Sequence, residues 1–187
     1  MPGKFKEVRI TDGLYDAGVD PSGHLVTMDL GHHYVHVEKA FYVKSSITLA
    51  SDATVDVRLV APNTAIRVHV YPTFDTTAET QYIIYEGVTL EAAGTTVTPL
   101  NRDRNSTSVA TTAVSAIENA SVALANADTG IGAATIIFQG VTGSGRKIGG
   151  GATPFEGHIL KQNTIYSFRL VANAESTCDY ILNWYEK

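Results

Sequence analysis

The chain has 187 residues, a formal net charge of −5 and 44% apolar residues. That length supports one domain with a core of its own, so no disulfide or metal is required to hold it, and the negative balance argues against a dedicated nucleic-acid binder. Only 18% of residues are charged, below the usual quarter, so Thr, Ser, Asn and Gly must carry much of the surface.

Residues 1–31 mix isolated apolar side chains with Gly, Pro and Asp turns, which reads as an N-terminal arm that docks on something rather than a self-sufficient unit. "MPGKFKEVRI" lacks the apolar stretch of a secretory signal. No apolar run in the chain approaches the ~20 residues of a membrane span. "GHHYVHVEKAF" follows, with His32, His33 and His36. Its surroundings alternate like a strand, in which His32 and His36 would stand ~13 Å apart. One ion could not reach both, so a structural role is expected and no metal.

From there a period of two dominates. Val55, Val57 and Leu59 alternate with Asp56 and Arg58, and Ile66, Val68 and Val70 with Arg67 and His69. Each run predicts a strand with one face on a core. "YPTFDTTAET" carries turn residues, while "QYIIYEG" and "TIIFQG" read as inner strands. In Thr96–Ser108, "TVTPLNRDRNSTS", Asn101, Asp103 and Asn105 suit turns because their side chains bond nearby backbone. Arg102 and Arg104 would share a face if extended, each free to clamp a carboxylate within the subunit or across an interface. "TTAVSAIENASVALANAD" is rich in alanine, but its Thr, Val and Ile favour two short strands around Glu118–Ala120 over a helix.

"GVTGSGRKIGGG", Gly140–Gly151, resembles a phosphate loop at first sight. Arg146 and Lys147 follow Gly145, Ile148 replaces the hydroxyl, and glycines stand where a helix should begin, so a mobile, weakly basic loop is the better reading. Tyr166, Phe168 and Leu170 alternate with Ser167 and Arg169, and Tyr180, Leu182 and Trp184 with Ile181, Asn183 and Tyr185. The single cysteine, Cys178, lies in such a strand and reads as a small buried filler. Glu86 and Glu156 could form a carboxylate pair, but Glu38, Glu91 and Glu118 are equally placed and nothing brings any two together. The expected fold is all-β: an antiparallel β-sandwich or jelly roll of about eight strands over 32–187, preceded by the extended arm over 1–31.

In their order, "GHHYVHVEKAFYV", "ATVDVRLVAPNTAIRVHV", "YIIYEGVTLEAAGTTVTPLNRDRNS", the glycine loop, "EGHILKQNTIYSFRLVANA" and "WYEK" look like a head protein of tailed bacteriophages. They are similar to the small jelly-roll decoration or cement proteins over roughly residues 32–187. The resemblance implies a non-enzymatic virion protein, made in the bacterial cytoplasm and placed on the outer capsid surface. It would be a homotrimer bridging subunits of the major capsid protein, without cofactor, direct nucleic-acid contact or membrane. Arg102, Arg104, Arg146 and Lys147 are the candidate subunit or capsid contacts. The rival reading is a receptor- or carbohydrate-binding module of a phage tail, with Tyr71, Tyr82, Tyr85 or Trp184 stacking on sugars. A hydrolase stands third, since no catalytic constellation is visible.

Overall fold

The structure is a computed structural model and describes residues 18–19, 25–26, 30–89, 94–119, 134–143 and 157–187. It divides into Met1–His33 and Tyr34–Lys187. In the first unit, β1 (Gly18–Val19) pairs antiparallel with β2 (Leu25–Val26); most of the expected arm lies outside the described residues.

The second unit is built from β3 (Ala40–Leu49), β4 (Thr54–Val60), β5 (Val68–Thr76), β6 (Thr80–Glu86), β7 (Thr95–Thr96), β8 (Leu100–Asn101), β9 (Ala113–Asn119), β10 (Thr135–Thr142), β11 (His158–Leu160), β12 (Ile165–Ala172) and β13 (Ser176–Glu186). They form two antiparallel sheets, ordered β10-β6-β12-β4-β9-β7 and β11-β5-β13-β3-β8. Four pairs generate the architecture: β3 with β13, β4 with β12, β5 with β11 and β6 with β10. Because β3, β4, β5 and β6 alternate between the sheets, and β10 to β13 alternate back, the paired ribbon wraps around one core. This is a jelly-roll wind, one of the all-β arrangements the alternation leaves open. β7, β8 and β9 are an insertion between β6 and β10. β8 extends one sheet beyond β3 and β9 extends the other beyond β4, so both additions lie on the same side of the sandwich.

The core is the meeting of the two inner faces. Val55, Val57, Leu59, Ile84, Phe168 and Leu170 of one sheet face Phe41, Val70, Phe74, Tyr180, Leu182 and Trp184 of the other, all essentially buried. Burying one such side chain is worth about 1.5–3 kcal/mol, and alternating β-branched and aromatic residues fit the pleated surface.

Three departures from the sequence reading have physical causes. β4 is buried on both faces: Asp56 and Arg58, read as the water-facing alternates, are fully buried. A covered outer face admits a charge only with partners, and Asp56 has them. Arg169 donates from Nε to Oδ1 at 2.8 Å and from Nη2 to Oδ2 at 2.6 Å, and Ser167 Oγ donates to Oδ1 at 3.0 Å. The Arg169 guanidinium also lies 5.8 Å from the Tyr85 ring centroid.

Of the segment read as turns after Val70, residues 71–76 are strand and only residues 77–79 turn. β5 continues through Pro72, which stands opposite Leu182 of β13. Among the described residues β11 reaches only as far as Val70, and none of them pairs with the other edge of β5 at Pro72, so the missing N–H breaks no ladder among them.

The third departure is the histidine segment. Leu30–His36 forms a helix, α1, not a strand, so the ~13 Å strand spacing for His32 and His36 does not apply and the two fall four apart on one helical face. Among the described residues no cluster of three or more His, Cys, Asp or Glu is arranged for a metal ion. The helix ends on Glu38, whose φ is 60°. Glu38 N–H donates to Val35 O at 3.0 Å and Lys39 N–H to Tyr34 O at 2.9 Å. That pair of bonds is the Schellman closure, with glutamate where glycine is usual. Tyr34 then stacks on Tyr185 of β13, with ring centroids 4.2 Å apart and an interplanar angle of 6°.

Candidate functional site

The "NRDRNS" stretch is a rigid knuckle at the margin of the inserted strands. β8 places Asn101 opposite Phe41 and Leu100 opposite Tyr42, and Arg102 N–H continues the ladder to Ala40 O at 2.9 Å. The chain then coils on its own side chains. Asn101 Oδ1 accepts from Asp103 N–H at 2.9 Å, Asp103 Oδ1 from Asn105 N–H at 2.9 Å, and Ser106 Oγ from Ser108 N–H at 3.0 Å. These are the local turns expected of Asn101 and Asp103. Asn101, nearly buried, also donates from Nδ2 to Glu38 O at 3.0 Å.

Glu38 closes the knuckle from outside it. One carboxylate oxygen, Oε2, accepts from Ser106 Oγ at 2.8 Å and Ser108 Oγ at 2.7 Å. These hydroxyls, Ser108 first, hold the carboxyl below its ordinary range. At the far end of the loop Glu186 of β13, itself buried, gathers the chain that leads into β9. Its Oε1 accepts from Thr112 N–H at 2.9 Å, Thr112 Oγ1 at 2.8 Å and Trp184 Nε1 at 3.3 Å, and both its oxygens lie 3.0 Å from Thr111 N. Two glutamates distant in sequence thus anchor both ends of residues 101–112.

This arrangement points Arg102, Arg104, Thr107 and Val109 outward, with Val109 85% exposed. Among the described residues the arginines clamp no carboxylate: Arg104 Nη1 donates to Asn101 O at 3.3 Å. The closure onto Glu38 is made by Ser106 and Ser108, while Arg104 bonds only the loop's own backbone and both arginine side chains stay exposed. Arg146 and Lys147, the other candidate contacts, lie outside the described residues.

Comparison with protein-family models, curated proteins and solved structures finds no match.

The remaining candidates are placed as follows. Glu86 lies at the end of β6 and is paired with Lys161 and, at 2.8 Å, with Tyr166 Oη. The Lys161 bond holds its carboxyl low, while burial raises the Tyr166 phenol. Glu156, Glu91 and the Glu118 side chain lie outside the described residues. Of the four aromatics considered for sugar stacking, Tyr82, Tyr85 and Trp184 are buried, whereas Tyr71 is 39% exposed and 3.2 Å, oxygen to oxygen, from Tyr185 Oη. Cys178 is free and fully buried, and burial pushes its thiol up, away from reactivity.

One surface feature went unread in the sequence. Asp75 and Asp179 lie directly opposite each other on β5 and β13, both exposed on the outer face of their sheet. Ile181 stands next along β13 on that face, 38% exposed, between Thr73 and Lys44. The aspartates are 104 positions apart, and only the strand register brings them together. No local signal could have found them.

Proposed function

We propose that this protein is a structural component of a tailed-phage head. It decorates the outer capsid surface as a homotrimer and bridges subunits of the major capsid protein. The reading rests on the order of segments over residues 32–187 that resembles the jelly-roll decoration proteins. The observation that supports it best is the knuckle: a dozen residues braced by Glu38 and Glu186 that present two arginines and an exposed valine. A loop ordered before contact loses little conformational entropy on binding, which favours a contact surface. Symmetry then repeats each modest contact, and binding only to the assembled shell stabilises that shell by mass action.

The test is electron cryo-microscopy of particles together with rebinding of purified protein to capsids that lack it. The expected result is threefold density on the outer shell and a raised capsid melting temperature. Density at the tail tip, or protein that sediments apart from the shells, would overturn the reading.

A further inference from the structure

We propose that copies of this chain join head to tail, the Arg102–Val109 knuckle of one seated on the outer face of β5 and β13 of the next. Each surface carries an exposed aliphatic side chain beside a pair of like charges, and the two pairs are opposite in sign. The knuckle offers Val109 with Arg102 and Arg104; the sheet offers Ile181 with Asp75 and Asp179. Among the described residues neither aspartate has an ion pair, although like charges directly opposite on a sheet repel. Arg102 and Arg104 likewise have no carboxylate partner there.

The remaining charges fit the same docking. Asp103 lies between the two arginines and is turned onto Asn105 N–H, while Lys44 flanks Ile181 on the β3 side. The arginines therefore belong over the β5 side, and Lys44 faces the acidic middle of the knuckle.

A contact within one chain is excluded by the register. Asn101 stands opposite Phe41 and Asp179 opposite Ser46, five residues further along β3. That is ~17 Å along a strand, about twice the ~8 Å screening length at physiological salt. The partner that fits is a second copy, whose knuckle has the matching charge and the matching apolar tip. Because the two surfaces differ, the contact is heterologous, and repetition closes a ring where the rotation allows. This deepens the homo-oligomer of the proposed function and rests on that reading for its number of subunits.

Sedimentation velocity on the full chain over a concentration series tests it. Wild type associates, and added salt weakens the association. R102E/R104E and D75K/D179K each raise the dissociation constant by about tenfold or more, because like charges then face each other. The four-site swap, carrying both pairs of changes in one chain, associates again. V109D weakens association without altering either charge pair. A monomeric wild type, two-site variants that associate as wild type does, or a folded four-site swap that stays monomeric would each overturn the contact. If a variant fails to fold, the salt series on wild type decides, and association insensitive to salt overturns it. A monomer that still coats capsids refutes this contact alone; an oligomer that ignores capsids refutes the capsid reading alone.

Discussion

The carboxylate of Glu38 and the hydroxyl of Ser108 meet at 2.7 Å across 70 residues of chain. Through that bond the residue that ends α1 also fixes the inserted loop. Glu38 keeps a left-handed backbone conformation that glycine would adopt more readily, and its side chain is what glycine could not supply. Glu38→Gly should therefore leave the helix end intact and free the knuckle. Amide exchange at Asn105 and Ser108 should accelerate by about tenfold or more, with little change in the melting temperature. Unchanged protection there would show that the local turns suffice alone.

Glu186 should matter more to stability, because it is buried and satisfies several donors at once. Glu186→Ala leaves those donors unpaired and should cost about 3 kcal/mol in urea unfolding, and Glu186→Gln about half that. The two variants being equal would mean that shape, not hydrogen bonding, dominates at this position.

Asp56 and Arg169 form a bidentate pair, with Asp56 fully buried. Asp56→Ala removes the bidentate partner of the largely buried Arg169 guanidinium and should destabilise by about 3–5 kcal/mol. Adding Arg169→Met should recover much of that loss, since the two charges act as a unit. Additive effects in the double-mutant cycle would count against the coupling.

The pH dependence has two parts of known sign. Burial, then the nearby Lys187 and Arg67, hold the His69 pKa below its ordinary 6.5. The unfolded chain therefore takes up the His69 proton first, and stability declines as pH falls below about 6.5. His69→Phe keeps a ring to stack on Tyr185, whose centroid lies 4.5 Å from that of His69, and should flatten this part of the profile. Glu38 and Glu86 have carboxyl pKa values below their ordinary 4.5. Their contribution is fully present above about 4.5 and is lost as pH falls through the lowered values. Urea midpoints measured from about pH 7.5 down to about pH 3 would resolve both parts.

Gly143 tests the backbone alone. Its φ is +71°, and a Cβ there would lie 2.2 Å from Ala78 O and 2.6 Å from Thr76 Oγ1. Gly143→Ala should destabilise by about 2 kcal/mol or more, through strain at φ > 0 and displacement of the chain after β5. A melting temperature equal to wild type would contradict that geometry.

The sequence by itself determined the elements whose signal is local. Alternation in Val55–Leu59, Tyr166–Leu170 and Tyr180–Tyr185 marked core-facing strands, since a pleated backbone turns successive side chains to opposite faces. Asn101 and Asp103 marked their own turns, because their side chains reach backbone two residues on. Seven residues of α1 were too few for a period of 3.6 to stand out from one of two. Tertiary structure decided what depends on chain segments far apart. It covered the second face of β4, so that Asp56 and Arg58 are buried rather than wet. It also brought Glu38 to Ser106 and Ser108, and Asp75 to Asp179. Local propensity constrains which face a side chain takes along its own strand. Which charge meets which is set by register between strands, and that register belongs to the whole packed sandwich rather than to any one segment.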